Sequence, residues 1–208
     1  MKETPIIMSG NHPLKVIDGI KTQTRRVIKP QPDLGLDEFE RYSNIEVGKY
    51  YPTVIDKNGD EQPGEEIFGA YTDDGEWGWK CPYGQVGDRL WVRETTWRGQ
   101  LGVKPIYDAD LTDSQRADLW DDGWRKHPSI FLPRRASRIT LEITEVRVER
   151  VQDISETDCE REGTPMVAPR PSGVDRNDFH VLWDSLNAKR GYGWEVNPWV
   201  WVISFKVV

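Results

Sequence analysis

The chain has 208 residues, a formal net charge of -7, and a composition 37% hydrophobic and 30% charged. That length suits one domain with insertions or two small ones, and the acidic balance argues against sequence-independent coating of nucleic acid, which relies on basic surfaces. No apolar run approaches the roughly 20 residues of a membrane span. The start, Met1-Lys2-Glu3-Thr4-Pro5, lacks an apolar signal region, so no membrane contact and a cytoplasmic location are expected.

Pro5 to Met8 reads as a short strand. Asn11 is placed to cap a helix, with Pro13 in its first turn and Gly19 at its left-handed end. The segment from Lys21 to Thr24 is then a loop or the start of a strand. On a regular strand these two side chains would point to opposite faces; in a tight turn they converge. Residues 31–82 carry two hairpin signals, Asn58-Gly59 and Asp74-Gly75, and read as a β-rich insertion. After Gly87-Asp88 a strand runs from Arg89 to Thr95. Leu90, Val92 and Glu94 share one of its faces. A carboxylate on an apolar face is either tied to a buried arginine or held for catalysis.

Residues 99–132 read as a second, mixed insertion, with a capping box at Thr112–Gln115 and a helix through Trp120. A long strand follows Arg138. Its inward phase passes from Ile139, Leu141 and Ile143 to Val146 and Val148, which requires a bulge near Thr144 or Glu145. Ser155 or Thr157 starts a short helix ending near Gly163, and Thr164 to Val174 reads as a loop. Phe179, Leu182, Trp183 and Leu186 mark a packed helix closed by Gly191. The last strand, Pro198 to Val208, buries Trp199, Trp201, Ile203 and Phe205 on one face.

Cys81 and Cys159 are isolated, so free thiols are expected. His12, His127 and His180 form no H-x-x-x-H and there is no cysteine pair, so neither a metal nor a cofactor is expected. Of ten tryptophans, Trp77, Trp79, Trp97 and Trp194 lie in polar, glycine-rich contexts and are candidates for a pocket wall.

The densest chemistry is Gly19, Lys21, Thr24 and Arg26, spelling G-x-K-x-x-T-x-R. A lysine amine of lowered pKa can act as a base, a threonine hydroxyl as a nucleophile, and Arg25 and Arg26 as anion anchors. The same residues also read as a basic turn on a solvated surface.

This motif, together with Val86-Gly87-Asp88-Arg89-Leu90-Trp91-Val92-Arg93-Glu94 at its place in the element order, resembles the ASCH domain of the PUA-like superfamily. Pro133 to Arg138, Leu182 to Gly191 and Asn197 to Val202 resemble a larger, tryptophan-rich branch found in bacteriophages and prophages. The resemblance covers residues 5–30, 83–98, 136–164 and 176–208. It implies an α+β fold, a small β-barrel flanked by helices, with the two insertions lying outside the core. Some small members are amidohydrolases that deacetylate N4-acetylcytidine with a lysine, a threonine and a glutamate. Lys21 and Thr24 match the first two by motif position, and Glu94 matches the third by its place at the strand end.

Two functions follow as expectations. In an amidohydrolase acting on an N4-acylated cytidine or a related modified nucleoside, Thr24 attacks the acyl carbon, Lys21 takes the hydroxyl proton and Glu94 shuttles a proton. In a binding module for a modified base or RNA, Lys21, Arg25, Arg26, Arg135 and Arg138 hold phosphates and Trp97 stacks on the base. A ribonuclease is a weaker option, unsupported by any histidine pair. A monomer or weak dimer is expected, in a bacterial or phage-infected cell.

Overall fold

The computed structural model describes residues 1–8, 10–32, 45–72, 77–99, 103–167 and 173–208. The chain opens with strand β1 (Glu3–Ile7), helix α1 (His12–Ile17) and strand β2 (Gln23–Val27). The first insertion supplies β3 (Ile45–Tyr50), β4 (Thr53–Ile55), β5 (Glu61–Pro63), β6 (Ile67–Thr72) and β7 (Gly78–Lys80). Strand β8 (Arg89–Arg93) returns to the core. The second insertion holds β9 (Thr96–Arg98), β10 (Ile106–Tyr107), α2 (Asp113–Asp121) and β11 (Arg125–His127). The chain ends with β12 (Thr140–Arg150), α3 (Glu156–Arg161), α4 (Arg176–Asn187) and β13 (Trp199–Val207).

Five strands drawn from both ends of the chain make one sheet, in the order β1-β8-β12-β13-β2. β1 and β8 run parallel, and the other neighbours are antiparallel. The expected bulge is present: the register of β12 against β13 shifts between Ile143 and Glu145. The extra residue keeps Ile143 and Val146 in the same core on either side of the slip.

Strand β13 is buried on both faces. Trp201, Ile203 and Phe205 join Ile6, Leu90, Val92, Leu141 and Ile143 in one cluster. Val200 and Val202 face a second cluster with Val151, Ile154, Cys159 and, from α4, Phe179 and Trp183. The apolar run of this strand is therefore the seam between two cores, more than the single buried face that alternation suggests. The expected cap of α4 also differs in detail: Lys189 and Arg190 form a short 3-10 turn, and Gly191 ends it with φ +81°.

The first insertion is nested. β3 pairs with β6 and encloses the β4–β5 hairpin, whose turn carries Gly59 at φ +91° as the Asn-Gly signal requires. The Asp74-Gly75 signal lies outside the described residues. Ala70, Trp79 and Cys81 enter the main core, so this insertion is anchored by shared apolar burial. In the second insertion the small sheet β10-β9-β11 begins at Thr96, earlier than the expected boundary, and Thr112 and Gln115 form the capping box of α2. No helix among the described residues is long and apolar enough to cross a membrane.

The five-stranded sheet does not close into the expected barrel. Among the described residues its edges, β1 and β2, are not hydrogen-bonded to each other as strands. One side chain spans them: Arg26 Nη2 donates to the Ile7 carbonyl at 2.6 Å. Side chains and open space fill the remaining gap, and that gap is where the cavity forms.

Candidate functional site

The Lys-to-Thr segment is shaped by how α1 ends. Gly19 takes φ +72°, its N–H donates to the Val16 carbonyl, and the Ile20 N–H donates to the Lys15 carbonyl at 2.8 Å. This paired arrangement turns the chain sharply after Asp18. The Lys21 N–H also reaches the Lys15 carbonyl, and the Thr22 N–H reaches the Arg161 carbonyl at 2.8 Å. Lys21 thus sits before the strand proper, against the C-terminal end of α3, and Thr24 lies within β2.

Lys21 is 3% exposed. Its Nζ donates to the Glu162 carboxylate at 2.5 Å and to the Glu162 carbonyl at 2.7 Å. Glu162 is the residue at which α3 ends, so the cation also meets the negative end of that short helix. Burial pushes the Lys21 amine below the usual lysine range. Glu162 opposes that shift, while Arg26 and Arg25 reinforce it. An ammonium has three donors, and two of them are taken by Glu162.

Arg25 holds the other side of that carboxylate. Its Nη1 lies 3.3 Å from Glu162 Oε1, and the same guanidinium binds Glu149 at 2.6 and 2.9 Å, Asp158 at 3.1 Å and Gln23 at 2.6 Å. Arg147 closes the network on Asp158 at 2.6 Å and on Glu149 at 3.2 Å. Arg25 is fully engaged by these partners, Glu162 among them, so its expected role as a substrate anchor becomes a positioning one.

Lys21, Thr24, Arg25, Arg26 and Glu162 line one cavity of about 630 Å³, a size usual for small-molecule sites. Six consecutive residues, Thr24 to Lys29, line it. A strand paired on both sides would present alternate residues to each face; an unpaired edge lies open along its length. Ile7 and Met8 contribute the opposite sheet edge. Trp79 from the first insertion, Tyr83 just after it, and Phe179 and Trp183 from α4 add aromatic walls. Thr24 is 4% exposed, and its hydroxyl makes no hydrogen bond among the described residues.

Sequence reasoning missed three residues here. Glu162 is one; the available signal was an acid at a helix C-terminus just before Gly163, where the helix dipole disfavours negative charge. His12 is the second: it lines the cavity, and its Nδ1 is buried without a partner among the described residues. Burial, then the neighbouring Lys21, pushes its pKa down to about 4, so the imidazole is neutral at neutral pH. Tyr83, the third, lies among glycines and prolines that gave no periodic signal.

The remaining expected site residues lie elsewhere. Glu94 does not line the cavity. Its carboxylate receives Arg138 Nη2 at 2.8 Å and Nε at 3.0 Å, and Arg138 also grips Asp110 at 2.6 and 2.8 Å and lies over the Tyr107 ring at 4.0 Å. Burial lowers the Arg138 pKa, but these bonds to Glu94 and Asp110 outweigh it and raise the value overall. Glu94 and Arg138 therefore tie the second insertion to the sheet. Both the expected proton shuttle and the expected phosphate contact are corrected accordingly.

Trp97 is also not a cavity wall. It is buried in the small sheet, donating Nε1–H to Asp108 at 2.7 Å and meeting Trp120 edge-on. Arg135 is exposed on the 3-10 turn before β12 and lines no part of the cavity. Of the four candidate wall tryptophans, Trp79 alone lines it. No protein-family model, curated protein or solved structure matches this chain.

Two outcomes follow from this geometry. Arg138→Ala removes the partner of the Glu94 carboxylate, which is 1% exposed, and is expected to destabilise the fold by about 3 kcal/mol. Urea unfolding measures this, and an unchanged midpoint would contradict the tie. His12 has a depressed pKa, so between pH 6.5 and about 4 the unfolded state binds a proton that the folded state does not. Stability from this source is complete above pH 6.5 and is lost as pH falls, by at most about 3 kcal/mol. His12→Gln should flatten the change in urea midpoint across that window.

Proposed function

We propose that this protein is an amidohydrolase acting on an acylated amino group of a nucleobase, with an N4-acylated cytidine as the leading substrate. The observation that carries the reading is the desolvated Lys21 amine, fixed by Glu162 in a cavity that Thr24 also lines. The G-x-K-x-x-T-x-R motif and the element order support an ASCH-type, PUA-like assignment for the fold, offered on the same footing.

In this mechanism the base enters along the open edge of β2, between the aromatic walls. Unpaired backbone groups of that edge offer hydrogen bonds to its polar rim. Thr24 Oγ1 attacks the acyl carbon as Lys21, in its neutral form, takes the hydroxyl proton. The C–N bond breaks, and the exocyclic nitrogen leaves with a proton supplied from the Lys21–Glu162 pair. Water then cleaves the acyl ester, releasing the carboxylate product and restoring Thr24. Glu162 holds Lys21 in place and exchanges its proton, and Arg25 holds Glu162.

Binding without chemistry is the second reading. The observation favouring it is that Lys21 commits two donors to Glu162, as a purely structural cation would.

Three variants separate these readings when hydrolysis of N4-acetylcytidine is followed by loss of the acetylated chromophore. Thr24→Ala should abolish turnover while retaining the thermal transition. Glu162→Gln should lower kcat by about 10²- to 10⁴-fold, the usual contribution of a positioned acid or base. Lys21→Arg should be inactive although the charge is kept, because a guanidinium holds its proton. Turnover that survives Lys21→Arg in a folded protein would remove the base role.

A further inference from the structure

The cavity has a charge asymmetry that the hydrolytic centre does not use. Lys29, Lys80 and Arg190 also line it, from the end of β2, from β7 and from the turn after α4. All three are exposed, which places them at its mouth. None has an ion-pair partner among the described residues. Lys29 Nζ lies 5.1 Å from the centre of the Tyr192 ring, another lining residue, so it meets an aromatic face.

Deeper in, Arg26 donates one guanidinium bond to the Ile7 carbonyl, and its Nε is buried with no partner among the described residues. Glu162 is the one acidic lining residue among those described, and its two carboxylate oxygens already bind Lys21 and Arg25. This is unusual in a chain of 35 acidic and 28 basic residues. Other arginines, such as Arg25 deep in the cavity and Arg138 and Arg147 away from it, are wrapped in carboxylates. Four cations without acidic partners among the described residues, three at the mouth and Arg26 deeper in, make a local positive field in a protein whose overall charge repels anions.

We propose that the mouth of the cavity is a phosphate subsite, so that the ligand is a mononucleotide and not a free nucleoside. This rests on the nucleobase reading of the inner end. The base would lie against Thr24 and the aromatic walls, and the phosphate would meet Lys29, Lys80 and Arg190, with Arg26 between them. A mononucleotide fits better than a polymer. The cations are confined to one opening, and the net charge of -7 opposes a long phosphate backbone.

The test is calorimetric titration of the whole protein with cytidine 5′-monophosphate and with cytidine, at low and high salt. The nucleotide should bind at least about tenfold more tightly than the nucleoside at low salt, as expected for charge-assisted bonds to a phosphate. Added salt should erase most of that preference. The triple variant Lys29→Gln/Lys80→Gln/Arg190→Gln should lose it too; these positions are exposed, so its thermal transition should match that of the parent. Equal affinity for the two ligands at low salt would overturn the subsite. So would a preference that survives the triple change. A cytidine oligonucleotide binding tenfold more tightly than the mononucleotide would overturn the mononucleotide assignment in favour of a polymer. Turnover is scored separately, on N4-acetylcytidine 5′-monophosphate: a phosphate preference without hydrolysis of that nucleotide would defeat the enzymatic reading and leave the subsite in place.

Discussion

A lysine amine at 3% exposure is costly unless its charge is matched, and the arrangement around Lys21 follows from that constraint. Glu162 matches it with both a carboxylate and a main-chain carbonyl. That carboxylate is itself half-claimed by Arg25, which also needs Glu149 and Asp158, and these in turn bind Arg147. Three cations and three carboxylates thus form one buried or partly buried network on the α3 side of the sheet. Removing one member leaves an unmatched buried charge, a loss of about 3–5 kcal/mol. The network therefore fixes the start of β2 against the end of α3, and it holds the amine in a low-dielectric setting where its proton is weakly held.

The open sheet gives this pair something to act on. Had β1 and β2 joined, the gap would be a ladder of backbone hydrogen bonds. Instead their edges stand apart, bridged by Arg26, and the walls come from α4 and the first insertion. Trp79 shows how the insertion serves both ends: it belongs to the main core and also lines the cavity. No described residue of the second insertion lines it. That insertion's tie through Glu94, Arg138 and Asp110 anchors a separate small sheet.

Much of the fold was legible in the sequence because its signals are local. The α1 end at Gly19, the capping box at Thr112, the bulge after Ile143 and the α4 stripe each rest on a few neighbouring residues. The Lys21, Thr24, Arg25 and Arg26 cluster was legible for the same reason. The partner carboxylate was not. Glu94 and Glu162 both sit at element ends and both are buried, and one chain gives no sign of which guanidinium or amine each will meet across more than 40 residues. Trp97 misled for a related reason: a polar, glycine-rich neighbourhood in sequence became a buried small sheet through pairing with β10 and β11. His12 was passed over because a lone histidine carries no pattern; its significance comes from the charges that folding places around it.

The central claim is that Lys21 is a desolvated amine whose proton affinity is set by burial and held up by Glu162. Its titration can be followed directly through the ε-carbon shift of selectively labelled lysine, with Lys21→Arg assigning the signal. The Lys21 signal should titrate below the roughly 10.4 of a free lysine side chain, and its midpoint should fall further in Glu162→Gln, which removes the opposing negative charge. A Lys21 midpoint at the ordinary lysine value, unmoved by Glu162→Gln, would contradict the account.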